Sequence, residues 1–489
     1  MLKLELRRLG RNSLIYGIGG VLQRFIGLLL LPLFTRTLSP EDYGVASLIG
    51  LVSAGLAGLF NLGTGNSMGV LYFREEDPEK KPTIIWSNTA LLLGVIAILV
   101  LVFVTAARVM STWVFETPAR ANLLRIAVVS LALTTITDPF YAYLRMEEKA
   151  KWYVVLTLIG SMTTLLLSTL LVLVLRWGVA GLLLASLFGQ ALMLAIVLGV
   201  IARRLPIRVD PHLFVPLVRI GFPSIFGLFA FLVIDYGGRQ ILQRMMGLEQ
   251  LGIYSIGYSF GMVMMIFVSA FATAWPPFFV SFINRREDAK IIFGRVLKYY
   301  LIAFGLLTML FFAAARPVVA VMVAPAFDKA FTVIGMVAAA YALRGCYLIL
   351  LPGLYFAEKL KWQSAIEWVA ALLNIGLSLW WIPRYGIMGA AGATLVSYLA
   401  LPVLSWAIGQ WYLPVDYDWP RIGVAALALG ISGFALFRVS RVGTPFTAMT
   451  YSALILTALM IVFGLGVLSV PERRLMVDRC RAFAKALNE

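Results

Sequence analysis

The chain has 489 residues, of which 61% are hydrophobic and 13% charged, with a formal net charge of +17. A soluble domain carries about 25% charged residues. That contrast, with a mean hydropathy of +0.91, excludes a soluble globular protein and points to a membrane. The basic balance reads as loops that orient a polytopic chain against anionic lipid, so membrane lipids are partners and nucleic acid is not.

Fourteen apolar stretches are predicted to span the membrane as helices. They lie near 12–34, 43–65, 84–106, 121–144, 152–175, 178–201, 214–238, 250–273, 292–314, 330–355, 363–382, 387–410, 420–437 and 447–469. The first is expected to be retained, since it lacks a small-residue cleavage site and thirteen more follow. The loops are short, and the most polar, Arg74-Glu75-Glu76-Asp77-Pro78-Glu79-Lys80-Lys81, has no room for a domain. With the N-terminus in the cytoplasm, 26 of the 41 Lys and Arg fall on the cytoplasmic side, 12 fall opposite and three lie within spans. That bias predicts both termini inside. The tail after Pro471 reads as an interfacial helix, with Met476, Cys480, Phe483 and Leu487 on one face and basic residues around it.

The chain repeats itself at a spacing of about 208 residues. Tyr43-Gly44-Val45-Ala46-Ser47 returns as Leu251-Gly252-Ile253-Tyr254-Ser255, and Ala106-Ala107-Arg108 as Ala314-Ala315-Arg316. Glu148-Lys149-x-Lys151-Trp152 returns as Glu358-Lys359-x-Lys361-Trp362, and Arg176-x-Gly178-x-x-Gly181 as Arg384-x-Gly386-x-x-Gly389. The repeat covers six spans in each copy. An even number leaves the two copies in one orientation, a parallel repeat about an axis along the membrane normal. The expected organisation is a six-helix bundle over 1–205, a second over 206–411, two appended helices over 412–470 and a basic amphipathic tail over 471–489. Duplicated membrane proteins are usually transporters, because two like halves can enclose a site and rock about it.

Ionisable residues inside spans are costly, so each is a site candidate. Arg24 sits midway along the first span, beyond snorkelling reach of either interface. It either holds an anionic group in a central cavity or pairs with a buried carboxylate. Arg344, midway along the tenth span, has the same two readings. Asp138 in the fourth span precedes Pro139 and either answers a helix break or pairs with an arginine. Asp235 in the seventh span is expected to pair with Arg24 or to carry a coupling cation. Glu367, a turn into the eleventh span, is a cavity carboxylate or else snorkels towards Lys359 or Lys361. Gly221-Phe222-Pro223 is expected to break the seventh span, Pro276-Pro277 to end the eighth, and Pro352 to kink the tenth. Gly257-x-x-x-Gly261 reads as a helix-packing pattern.

Two cysteines, Cys346 and Cys480, and the single His212 leave no metal cluster or disulfide framework. No G-x-x-x-x-G-K-[ST] loop is present, so no cofactor is expected and energy must come from an ion or substrate gradient. A membrane glycosyltransferase, ligase or polymerase would need a sizeable extramembrane loop with catalytic groups, which the short loops exclude; the chain is not expected to be an enzyme.

The basic start with Asn12, the Arg24 helix and Thr35-Arg36-x-Leu38-Ser39-Pro40-Glu41-Asp42-Tyr43-Gly44 carry a family resemblance. Gly221-x-Pro223, Asp235 and Gly252-x-Tyr254-x-x-Gly257 continue it over most of residues 7–410. The chain resembles the polysaccharide-transporter branch of the multidrug/oligosaccharidyl-lipid/polysaccharide exporter superfamily, which contains the O-antigen and exopolysaccharide lipid flippases. The resemblance implies an all-helical V-shaped pair of bundles in the bacterial inner membrane. It implies translocation of an undecaprenyl-pyrophosphate-linked oligosaccharide to the outer leaflet, with polysaccharide polymerase machinery as a partner. Arg24 is carried over as the cavity cation, and Asp235 as a cavity carboxylate. Arginine suits a pyrophosphate because its planar fork binds phosphate oxygens bidentately. Apart from the resemblance, Asp235 or Asp138 would carry a proton or Na⁺ in exchange if an ion gradient drives transport, and Glu367 and Arg344 rest on their burial alone. A lipid II flippase and an ion-coupled multidrug antiporter share the scaffold; two basic residues among the deepest charges favour an anionic substrate over a cationic drug.

Overall fold

The computed structural model describes residues 31–441 and 445–467, together with Glu472. Among them the chain is helical, with no strand. Eleven helices are long and apolar enough to cross a membrane, or twelve if one bent pair is counted as a single span. The fourteen predicted spans are therefore not all met. The first span up to residue 30 and, apart from Glu472, the amphipathic tail lie outside the described residues, and the seventh span is broken.

The chain divides between Ser255 and Ile256 into two compact units. The first holds α1 (Leu31–Thr37), α2 (Pro40–Asn61), α3 (Thr64–Arg74), α4 (Lys81–Thr105), α5 (Ala107–Phe115), α6 (Ala121–Met146), α7 (Ala150–Ser168) and α8 (Gly178–Val200). The seventh predicted span follows in pieces, as α9 (Phe214–Gly221), α10 (Pro223–Leu232) and a π-helical stretch, Val233–Gly237. The break falls where the sequence places it. Pro223 opens the new helix, and Gly221 is packed so tightly that a Cβ would lie 2.7 Å from the Gly63 carbonyl. Next comes α11 (Gly238–Gly261), interrupted at Gly247, which has φ +84°.

The motif most specific to the resemblance is a helix start. Ser39 caps α2: its Oγ accepts from the Asp42 amide at 3.1 Å, and its own amide donates to Asp42 Oδ2 at 3.0 Å. Pro40 fills the first helical position, where no amide proton is needed. Glu41 pairs with Arg120 at 2.6 Å.

Two repeated segments meet within the first unit. A Cβ on Gly44 would lie 2.1 Å from the Leu248 carbonyl, and one on Gly252 1.7 Å from the Pro40 carbonyl. Between them, Ser47 Oγ and Ser255 Oγ are 2.8 Å apart. The other repeated turn is preserved in full. Glu148 and Glu358 both take the left-handed conformation, at φ 53° and 55°. Past each, a lysine amide reaches back five residues, Lys149 to the Leu144 carbonyl at 2.8 Å and Lys359 to that of Leu354 at 2.9 Å. This is a helix-ending loop with glutamate where glycine usually stands.

The second unit continues with α12 (Met264–Val280), α13 (Arg286–Met322), α14 (Phe331–Leu350), α15 (Pro352–Phe356), α16 (Leu360–Tyr385), α17 (Ile387–Tyr412), α18 (Trp419–Val439) and α19 (Pro445–Val462). Pro276-Pro277 do not end their helix, which runs on to Val280. Buried Trp275, donating to the Leu348 carbonyl at 2.8 Å, and buried Phe279 hold that turn in place. Membrane helices tolerate proline where neighbours support the freed backbone. Pro352 does separate α14 from α15. Gly257 and Gly261 face α14, where Cβ atoms would lie 2.4 Å from the Ala330 carbonyl and 2.8 Å from that of Ile334, so the small-residue pattern is a packing contact.

Candidate functional site

Glu367 stands one turn after Gln363 on α16 and is 3% exposed. Its Oε1 accepts from the Tyr347 hydroxyl at 2.8 Å and from Gln363 Nε2 at 3.2 Å. Tyr347, on α14, is itself 1% exposed. Arg344 is half-buried one turn before Tyr347, on the same helix face, and its charge acts on both Tyr347 and Glu367. Two site candidates of opposite charge thus come together in one bundle. The expectation that Glu367 snorkels towards Lys359 or Lys361 is not met. The carboxylate turns inward because a phenol and an amide supply the donors that burial requires.

Further along the same helix, Asn374 and Ser378 are fully buried. Neither polar atom of the Asn374 amide has a hydrogen-bond partner among the described residues, nor does Ser378 Oγ. Buried polar groups without partners are rare, and here two of them lie one turn apart on one helix. The antiparallel neighbour α17 is set in register by Gly389, whose Cβ would lie 2.4 Å from the Trp381 carbonyl. On α17, buried Thr394 and Ser397 satisfy themselves, donating to the Ala390 carbonyl at 3.0 Å and the Ala393 carbonyl at 2.7 Å. Sequence reasoning that searched for charge missed these residues. Their signal was spacing: positions 367, 374 and 378 fall on one stripe of an otherwise apolar helix.

In the first unit, Asp138 is half-buried on α6. Pro139 lies inside an unbroken helix, so Asp138 does not answer a break. It faces the charge of Arg145, two turns on, and neighbours Tyr141. The Arg145 guanidinium lies 5.3 Å from the centre of the Tyr153 ring, which Tyr141 meets edge-on at 5.8 Å. Among the described residues no ion pair joins Asp138 to an arginine; the Arg145 charge acts on it from two turns away. Asp235 is half-buried in the Val233–Gly237 stretch, where the wider π turn re-aims side chains. The adjacent Tyr236 ring stacks under Arg239 at 4.6 Å, and Arg239 Nη1 reaches Ser47 Oγ at 3.4 Å. Arg24 lies outside the described residues, as does any pairing of Asp235 with it. Among the described residues no three His, Cys, Asp or Glu side chains converge on a metal site.

Residues 9–283 match the family model described as "Polysaccharide biosynthesis protein". The chain belongs to that family. No curated protein matches the sequence. Among solved structures, the inward-facing conformation of a multidrug resistance MATE family transporter of the MOP superfamily superposes with a TM-score of 0.69. It is 12% identical, over 80% of this chain and 94% of that one. Lipid II flippase MurJ in its inward closed conformation gives 0.66 at 17% identity, over 92% of this chain and 98% of that one. At these identities the likeness is one of fold: the chain is a multi-span membrane protein with the architecture of these exporters.

Proposed function

We propose that the protein flips an undecaprenyl-pyrophosphate-linked oligosaccharide from the cytoplasmic to the outer leaflet of a bacterial inner membrane by alternating access. The family match and the exporter fold support the reaction class. The observation that carries the substrate chemistry is Arg344, held beside Tyr347 and Glu367 among membrane-spanning helices. An unpaired pyrophosphate cannot cross hydrocarbon at bearable cost, and fixed guanidinium donors replace its water. Arg24 is the second such donor. The working division is two six-span halves, 1–205 and 206–411, with helices 13 and 14 and a cytoplasmic tail appended.

Replacing Arg24 with Ala should abolish transport while the protein still inserts and accumulates. Full complementation of a flippase-null strain by that variant would refute the assignment. In this reading Asp235, Asp138 or Glu367 carries a proton or Na⁺, since one charge crossing 100 mV is worth about 2.3 kcal/mol. Flipping in vesicles should then respond to a pH or Na⁺ gradient; indifference to both would remove the coupling role. A lipid II flippase is the second reading, favoured by the extent of the MurJ superposition. Rescue of a strain lacking its lipid II flippase would select it.

A further inference from the structure

The second unit contains an apolar slot of about 570 Å³ between α13, α14, α17 and α18. The size is that of a small-ligand pocket, roughly 300–1,000 Å³. On α13 its wall runs from Tyr300 to Phe312. At about 1.5 Å per residue that is ~18 Å, close to one leaflet of a ~30 Å hydrocarbon core. The wall offers an occupant almost no polar atom. The Tyr300 hydroxyl donates to the Ala342 carbonyl at 3.0 Å, and that of Thr308 to the Phe304 carbonyl at 2.7 Å. Met309, Met336 and Met388 line it with deformable side chains. Phe434 and Leu399, on its rim, are exposed, so the slot opens to the outside of the bundle.

One end is cationic. Phe437 and Met388 close that end, and the exposed Arg441 covers the Phe437 ring at 4.2 Å and touches the Met388 sulfur. Arg316 joins it there, donating to the carbonyl of the preceding residue, Ser440, at 2.9 Å. Among the described residues neither arginine makes an ion pair. By the distribution of Lys and Arg, this is the exterior end.

We propose that the slot binds a bilayer phospholipid with an anionic headgroup. One acyl chain lies between α13 and α18, and the phosphate rests on Arg441. The length of the slot suits an acyl chain of one leaflet, and an undecaprenyl chain is far too long for it. The inference stands apart from the transported substrate.

The test uses the full chain in phosphatidylethanolamine nanodiscs containing phosphatidylglycerol with a photoactivatable acyl chain. Crosslinks are expected on peptides bearing Met309, Met336 or Leu429. A Cβ on Gly430 meets open space, so Gly430→Phe should fill the slot. It should cut labelling roughly tenfold, the loss expected from displacing about two methylenes. Arg441→Gln, at an exposed position that keeps the fold, should reduce the preference for phosphatidylglycerol over phosphatidylcholine about fivefold. The proposal is overturned if labelling falls only outside the slot, or if wild type labels equally with a zwitterionic probe. It also fails if undecaprenyl phosphate displaces the probe where unlabelled phosphatidylglycerol does not. Should Gly430→Phe fail to insert, the headgroup preference of Arg441→Gln decides the matter alone.

Discussion

Three positions in the first bundle correspond, 210 residues on, to three in the second: Thr134 to Arg344, Thr137 to Tyr347 and Thr157 to Glu367. In the first bundle each hydroxyl bonds a carbonyl one turn back on its own helix. Thr134 reaches Ser130 at 3.0 Å, Thr137 reaches Leu133 at 2.7 Å and Thr157 reaches Tyr153 at 2.9 Å. They need nothing from a neighbour. In the second bundle the Tyr347 hydroxyl crosses from α14 to Glu367 on α16, with the Arg344 charge beside them. Self-contained polarity has become a network between helices. A threonine can sit silently in a membrane helix, but a buried carboxylate cannot, so the second bundle carries polar side chains that only partners or a ligand justify.

The comparison is broken most directly by erasing it. The triple change of Arg344, Tyr347 and Glu367 to Thr gives the second bundle the self-bonding residues of the first. Membrane yield should survive and transport should vanish; a transporting triple variant would show the network to be scaffold. Glu367→Ala alone leaves the Tyr347 hydroxyl buried without its acceptor, at a cost of about 1–3 kcal/mol. Thermal unfolding should come earlier, and adding Tyr347→Phe should recover part of the loss; strict additivity in that cycle would deny the pair. Thr157→Val should change stability by no more than about 0.5 kcal/mol and leave transport intact. A large loss there would mean that the first bundle is not silent.

Much of this was legible in the sequence because it rests on local physics. Spans follow from apolar length. The Glu-Lys-x-Lys-Trp turns recur because one helix-ending loop was duplicated, and the Ser-Pro-Glu-Asp run declares a helix start. Other features were hidden. Pro276 and Pro277 sit in a turn held by the packing of Trp275, which no local rule anticipates. Asn374 and Ser378 carry no charge, and their interest comes from what surrounds them. Glu367 reads as a residue near an interface until its partners from another helix are seen.

The crossing of Gly44 with Leu248 and of Gly252 with Pro40 has a further consequence. Adding 208 to either pair returns the other: Pro40 corresponds to Leu248 and Gly44 to Gly252. Residue i meets j while j meets i, with the two serines on the line between them. That reciprocity defines an isologous contact, the kind two identical subunits make across a dyad. Within the first unit, the two copies of this short repeated segment therefore meet as two identical subunits would across a dyad.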